Sequence, residues 1–158
     1  MKRYIILFCL FVRQAVFSQN NKETSISMDN DVVPYVEQFI LDGKNRGFHL
    51  RGFLLNKIDY IYFNPSIMDP EVIGFVGNDK RGFYLAPRLR EDSLKLKMTI
   101  YHEIGHIIKN TKHHVCFDCD EIMAEYSPKN INLFRDAYFW NKKVDNYFNW
   151  LNEKTPSN

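Results

Sequence analysis

The chain has 158 residues, which is enough for one domain with a sizeable core and too few for two. Charged residues make up 25% of the chain and the formal net charge is only +2, so the basic excess of a nucleic-acid-binding domain is missing. The sequence shows no low-complexity tract and no internal repeat, and its apolar content is that of a globular protein.

The first residues are typical of a secretory signal peptide. A short basic start is followed by an apolar run over residues 4–12, and small residues then lead to Ser18. We therefore expect residues 1–18 to be a signal cleaved near Ser18, with the mature protein exported to the periplasm or the extracellular space. The run is too short to span a bilayer comfortably, and retention as an uncleaved anchor is the alternative.

Loss of this signal changes the charge balance of the chain. The segment contains Lys2, Arg3 and Arg13 and no acidic residue, so the formal charge falls from +2 to −1 on cleavage. A near-neutral chain without a clustered basic stretch has no electrostatic basis for binding nucleic acid or membrane lipids. We expect a peptide or protein substrate as the partner, with no nucleic acid and no stable membrane insertion after cleavage.

The segment after the signal divides into a leader and a folded domain. Residues 19–31 are polar and are expected to form a flexible leader, which assigns residues 32–155 to the domain. Apolar residues at helical spacing predict a first helix over residues 32–44. A run rich in β-branched and aromatic residues over 58–63 predicts a buried strand.

The middle and the end of the chain predict a hairpin and two further helices. Short strands over 72–77 and 82–86 are joined by a polar turn, and the second is the candidate edge to which an extended peptide would add. Asp92 or Ser93 caps a long amphipathic helix, and a last helix is predicted over 132–152. These elements predict an α+β fold in which a short, mostly antiparallel sheet packs on the long helix, between N-terminal and C-terminal helices.

The most informative stretch of the sequence lies on that long helix. His102 and His106 are four residues apart, so their imidazoles project from the same side of a helix, one turn apart, and can bind one zinc ion. Glu103 follows the first histidine directly and points elsewhere, so it can act as a general base without being a ligand. This pattern predicts a zinc site with a separate proton acceptor.

A catalytic zinc usually has three protein ligands and one open position. His113 is the first candidate for the third ligand and His114 is its alternative, since both follow His106 closely. Asn110 can take the left-handed conformation that lets the chain leave the helix and turn back. The other candidates are side chains farther along the chain, namely Glu125, Glu121, Asp118 and Cys116.

The sequence His102-Glu103-x-Gly105-His106, followed by His113 and Glu121-Ile122-Met123, resembles the metzincin-like zinc metallopeptidases. In particular it is similar to a group of small exported bacterial metallopeptidases with the same helix motif. The resemblance implies a small zincin-like domain, and it implies that Met123 lies in a tight turn beneath the zinc site. A methionine packed in the core is the other interpretation of Met123.

We therefore expect a zinc-dependent metalloendopeptidase. Zinc would polarise the scissile carbonyl and activate its bound water, while Glu103 would take a proton from that water and pass it to the leaving amine. Tyr126 is a candidate hydrogen-bond donor to the developing oxyanion. Three alternatives stay open: a non-catalytic zinc-binding protein, a binding protein of the cell envelope in which the motif is accidental, and a zinc hydrolase that acts on cell-wall peptides.

Two cysteines remain in the chain after signal cleavage. Cys116 and Cys119 are close in sequence, and an exported protein meets an oxidising compartment, so a short-loop disulfide is the expected state. A metal-binding pair is the alternative.

Overall fold

The computed structural model describes residues 25–111, 114, 121–124 and 131–153. The predicted signal peptide lies outside the described residues, and so do Cys116 and Cys119. Among the helices in the described ranges, none combines the length and the apolar character needed to cross a membrane.

The described ranges contain four α-helices and one four-stranded sheet, which confirms the α+β class. The helices are α1 (Val33–Lys44), α2 (Leu50–Lys57), α3 (Ser93–Lys109) and α4 (Ala137–Asn152). The strands are β1 (Ser27–Met28), β2 (Tyr60–Phe63), β3 (Gly74–Val76) and β4 (Gly82–Leu85). Short 3-10 helices, Pro87–Glu91 and Ile131–Arg135, precede α3 and α4.

The sheet is mixed, with the strand order β1-β2-β4-β3. The hairpin strands β3 and β4 are antiparallel, as predicted, but β2 pairs in parallel with both β1 and β4. The prediction of a mostly antiparallel sheet is therefore wrong. The parallel pairings arise from the connections between the strands. Helices α1 and α2 form a crossover from β1 to β2, and the segment 64–73 leads from β2 to β3 past the position that β4 later fills.

This strand order also corrects the predicted edge of the sheet. The strand over 82–86 was expected at the edge, but β4 lies between β2 and β3 and pairs with both. Its side chains Phe83 and Leu85 are fully buried. Within the described residues the edge next to the hairpin is β3, since β3 pairs with β4 alone.

The folded unit extends N-terminal to residue 32. Strand β1 belongs to the segment that was expected to be a flexible leader, yet it pairs with β2. The Asp29 carboxylate accepts a hydrogen bond from the backbone N–H of Phe63 at 2.8 Å. Asp31 forms an ion pair with Arg90 at 3.0 Å. Because these contacts hold the segment against the sheet, residues 27–31 are part of the domain.

Two helical elements differ from the sequence expectation. Helix α2 has no clear amphipathic pattern and was not predicted, and its core contacts depend on Leu50 and Leu54. Helix α4 begins at Ala137 because the Asp136 side chain accepts the backbone N–H of Phe139 at 2.8 Å and caps the helix there.

Helix α3 is held by aromatic packing on its core side. The Tyr101 ring meets Phe39 edge-on, with 4.9 Å between centroids. The Tyr101 hydroxyl donates to Asp42 Oδ2 at 2.6 Å, and the Tyr147 hydroxyl donates to the Tyr101 carbonyl at 2.7 Å. Since Tyr101 is anchored on that side, the residues that follow it are turned towards a neighbouring cleft.

Candidate metal centre

The two ends of α3 explain how the chain returns to the histidines. Asp92 is the N-cap, since its side chain accepts the backbone N–H of Lys95 at 3.1 Å. At the other end Asn110 is left-handed, with φ 49° and ψ 42°, which confirms the conformation expected of it. The backbone N–H of Thr111 then bonds back to the His106 carbonyl at 3.2 Å, so the chain reverses beside the last turn.

His102 and His106 lie on the same side of α3, as their spacing predicts. Their ring centroids are 4.6 Å apart and the rings are nearly perpendicular, at 82°. Their Nε2 atoms face each other at 2.9 Å.

The hydrogen bonds of these rings fix their tautomers. His102 Nδ1 lies 2.9 Å from the Ile122 carbonyl, and His106 Nδ1 lies 2.9 Å from the Thr111 carbonyl. A carbonyl only accepts, so each Nδ1 carries the proton and the neutral rings turn two Nε2 lone pairs towards each other. Burial, together with the neighbouring histidines, lowers the pKa of both His102 and His106 to about 4, so a proton is disfavoured between them. A metal cation is the partner that this arrangement favours.

The structure brings a third histidine to the pair. The His114 ring centroid is 5.2 Å from that of His102 and 4.9 Å from that of His106. One ligand nitrogen from each ring lies within 4.8 Å of the others, which is close enough for one ion. His114 is the alternative that the sequence offered for the third ligand.

Most other candidate ligands fall on undescribed positions. Glu121 is described, but its carboxylate accepts from Lys143 at 2.7 Å and from Asn146 at 3.2 Å, away from the histidines. The candidates that lie outside the described residues are His113, Glu125, Asp118 and Cys116, and Tyr126 lies there too.

Met123 packs directly against helix α3 at Gly105. It is 1% exposed and belongs to a short turn in which the Ala124 N–H bonds to the Glu121 carbonyl at 3.2 Å. A Cβ atom added to Gly105 would lie only 2.8 Å from the Met123 sulfur, so this approach requires glycine between the two histidines. The same turn supplies the Ile122 carbonyl that orients His102, which links Met123 to the position of that ring.

The Glu103 side chain faces the cleft and has no protein partner among the described residues. The residue is 5% exposed, and it makes no hydrogen bond or ion pair with any described residue. Because no fully buried side-chain oxygen or nitrogen of the described residues lacks a hydrogen bond, the carboxyl oxygens keep their remaining exposure on the cleft side. Loss of solvent raises the pKa of this carboxyl to about 8. Its Oε1 lies 3.0 Å from the point where a Cβ on Gly74 would stand, so the missing side chain of Gly74 gives the carboxyl its space.

Glu103 and two of the histidines line one cleft. The cleft measures about 710 Å³ and lies between α3 and the β3–β4 hairpin. His106, His114 and Glu103 lie on the helix side, while Gly74 and Phe75 of the edge strand form the opposite side. The arrangement places candidate metal ligands, the Glu103 carboxyl and the strand that forms the sheet edge among the described residues around the same space.

Several contributors to the site have no clear signal in the sequence. The carbonyls of Ile122 and Thr111 orient the histidines, but backbone acceptors leave no pattern in side-chain identity. Gly74 is also missed, although a glycine inside a strand pattern can mark a close approach of this kind.

No protein-family model, curated protein or solved structure matches the chain. The resemblance to metzincin-like peptidases therefore stays a prediction, and what the site does has to be inferred from its own residues.

Proposed function

We propose that this chain is a zinc-dependent metallopeptidase in which His102, His106 and His114 hold the metal and Glu103 is the general base. The observation that carries the proposal is the 2.9 Å distance between His102 Nε2 and His106 Nε2. Two backbone carbonyls orient the rings so that the lone pairs of these atoms face each other. The carboxyl of Glu103, which lines the adjoining cleft and has no partner among the described residues, supports the catalytic part.

The donor set suits zinc. Three imidazoles match the three protein ligands of many catalytic zinc sites, whereas calcium and magnesium prefer oxygen ligands. Two of the three rings have a carbonyl on the second nitrogen, which fixes their orientation and raises their basicity. Zinc bound there would polarise a scissile carbonyl and activate water for attack.

The chain's own residues supply the remaining steps. Glu103 would accept a proton from the attacking water and deliver it to the leaving amine, and its place on the cleft wall beside His106 and His114 suits that role. The substrate would lie extended along β3, whose free edge offers backbone hydrogen bonds beside Glu103. Its scissile bond would then lie between the edge strand and the histidines.

The proposed place of action is the periplasm or the extracellular space. Its support is the basic start, the apolar run and the small residues of positions 1–18.

The proposal is tested by metal analysis of the purified protein alongside hydrolysis of an unfolded protein substrate. We expect zinc at one equivalent in the wild type and in Glu103→Gln, with a fall in hydrolysis of about 10² to 10⁴-fold in the variant. Glu37→Gln is the matched control, because Glu37 is an exposed acid on α1 and lies outside the cleft.

Three outcomes separate the parts of this proposal. Hydrolysis by Glu103→Gln at the wild-type rate would show that the general-base assignment is wrong. Bound zinc without hydrolysis would favour a non-catalytic metal protein, and a protein that binds no zinc would overturn the metal site itself.

A further inference from the structure

We propose that the cleft holds a carboxylate of the peptide substrate at its hairpin end, with Lys80 as the principal contact and Lys57 as the second. This inference rests on the proposed function and names the class of substrate: peptides that carry an acidic side chain or a free C-terminus on one side of the scissile bond.

The charges around the cleft are unequal. Three cationic residues line it, namely Lys57, Lys80 and Arg81. Among the described lining residues Glu103 is the one acid, and it lies at the end where the histidines meet. Asp59 and Asp79 adjoin the same end and face Arg81 and Tyr60, so three cations stand against two acids there. The hairpin end keeps one excess positive charge, to which a substrate carboxylate would be attracted.

The two lysines lack a carboxylate partner in the described chain. Arg81 is neutralised by Asp59, with Nη2 at 2.6 Å from Oδ1. The one polar contact of the Lys80 ammonium is with the neutral Asn110 carboxamide, at 3.0 Å. Lys57 lies 5.8 Å from the centre of the Phe53 ring. Two ammonium groups without an ion-pair partner among the described residues thus remain beside the cleft.

Lys80 is oriented by its backbone conformation and by one side-chain hydrogen bond. It is left-handed, with φ 56°, and its backbone N–H closes the hairpin turn on the Gly77 carbonyl at 2.9 Å. Asn110, the other left-handed residue among the described non-glycine residues, holds the Lys80 side chain from the end of α3. An ammonium has three donors, and this contact uses one, so two remain for a ligand.

The path of an edge-bound peptide leads to this position. Gly74 is beside Glu103 at one end of β3, and the turn that carries Lys80 follows the other end. A peptide extended along β3 would reach the turn two to four residues from its scissile bond, roughly 7–13 Å away. Either a side chain or the C-terminus can supply a carboxylate at that distance.

The test measures binding in the Glu103→Gln background, so that cleavage does not interfere. Fluorescence anisotropy compares labelled peptides with Glu or Gln two to four residues from the scissile position, each with a free or an amidated C-terminus. We expect about three- to tenfold tighter binding of the carboxylate form, with most of this preference lost in about 0.5 M salt.

Two further substitutions locate the contact. Lys80→Gln removes the charge, and Asn110→Asp gives Lys80 an acidic partner at a position where aspartate tolerates the left-handed conformation. Both should lower the carboxylate preference to about twofold or less. Lys142→Gln, which removes an exposed lysine on α4, is the control and should keep the full preference.

The outcomes distinguish this inference from the proposed function. Equal affinity for carboxylate and amide peptides, or a preference unchanged by Lys80→Gln, would overturn the carboxylate site while wild-type hydrolysis still upholds the peptidase. A preference that follows Glu against Gln assigns the side chain, and one that follows the free C-terminus assigns the terminal group. Absence of both peptide binding and hydrolysis would remove both proposals.

Discussion

Two buried carboxyl groups lie on opposite sides of helix α3, and their surroundings differ. Asp42 is 7% exposed, and its carboxylate accepts from the Gln38 amide at 2.8 Å and from the Tyr101 hydroxyl at 2.6 Å. Glu103 is 5% exposed and has no hydrogen-bond or ionic partner among the described residues. The first carboxyl is built into the core, whereas the second faces the cleft.

This contrast separates a structural acid from a candidate catalytic one. A buried carboxyl stabilises a fold only when donors replace the water that it loses, which is the situation of Asp42. A carboxyl that loses water without gaining donors destabilises the fold, and one in a cleft with a raised pKa is a candidate for a functional role. The partner that Glu103 lacks would be supplied by a metal-bound ligand and a substrate.

The largest expected effect concerns the proposed metal ligands next to Glu103. His102→Ala should lower the affinity for zinc by more than about 100-fold and bring hydrolysis to background, because it removes one of three imidazoles. His49→Ala is the matched control, since His49 is an exposed histidine before α2, outside the cluster. Isothermal titration with zinc after chelation measures both, and equal zinc affinity in the two variants would contradict the assignment.

The helix spacing allowed the pair of His102 and His106 to be predicted from sequence. Two residues four apart must share a helix face, so the geometry follows once the helix is recognised. The third histidine could not be chosen in this way, because adjacent residues in a loop point in unrelated directions. The structure brings in His114 through the left-handed turn at Asn110, and the turn itself was predictable.

The sheet shows the limit of the same approach. Periodicity and turn residues located β2, β3 and β4, but the partner of each strand depends on connections that a local pattern does not contain. β4 pairs with β2 in parallel because the hairpin turns back towards β2 and places β4 between β2 and β3. The edge beside Glu103 is consequently β3, and Gly74 acquires its role from that placement.

The pH dependence of stability should sharpen the contrast between the two acids. In zinc-free protein, burial raises the pKa of Glu103 from 4.5 to about 8. The folded state then holds a proton that the unfolded state releases, so the free energy of unfolding falls as the pH rises from about 4.5 to about 8. Glu103→Gln cannot ionise at this position and should not show this loss. At pH 8 its free energy of unfolding should therefore exceed that of the wild type by more than about 2 kcal/mol.

Urea unfolding of both zinc-free proteins at pH 5 and pH 8 measures this difference. The difference between the two should be much smaller at pH 5 than at pH 8, because pH 5 lies just above the ordinary pKa of 4.5, where the loss begins. A constant difference across the range would mean that Glu103 does not titrate in this window.

Asp42→Asn should lower stability and spare activity, which is the opposite of Glu103→Gln. The amide keeps the shape of the side chain, but it loses the charge that strengthens the hydrogen bond from Tyr101, so we expect a loss of about 1–2 kcal/mol in the free energy of unfolding. Zinc content and the rate of hydrolysis per folded molecule should stay unchanged. A large loss of activity without a loss of stability would place Asp42 in the site rather than in the core.

The smallest effect on activity and stability should come from adding a methyl group at Gly74, next to the Glu103 carboxyl. In Gly74→Ala the new Cβ would lie 3.0 Å from Glu103 Oε1 and 3.0 Å from Thr99 Cγ2, so the carboxyl must shift by a few tenths of an ångström. Stability should fall by about 1 kcal/mol or less, because this strand position has no left-handed backbone to strain. Hydrolysis should fall by about three- to tenfold with zinc content unchanged, since misplacement of a reacting group lowers the rate more than it disturbs the fold.

Gly52→Ala is the matched substitution, because no atom lies within 4 Å of a Cβ at that position on α2. It should raise the free energy of unfolding by about 0.5–1 kcal/mol through helix propensity and leave hydrolysis untouched. If both alanine variants behaved alike in the peptidase assay, the position of the Glu103 carboxyl would not matter to the reaction. A loss of hydrolysis in Gly74→Ala alone would instead show that the reaction depends on the exact position of the Glu103 carboxyl, which the space beside Gly74 provides.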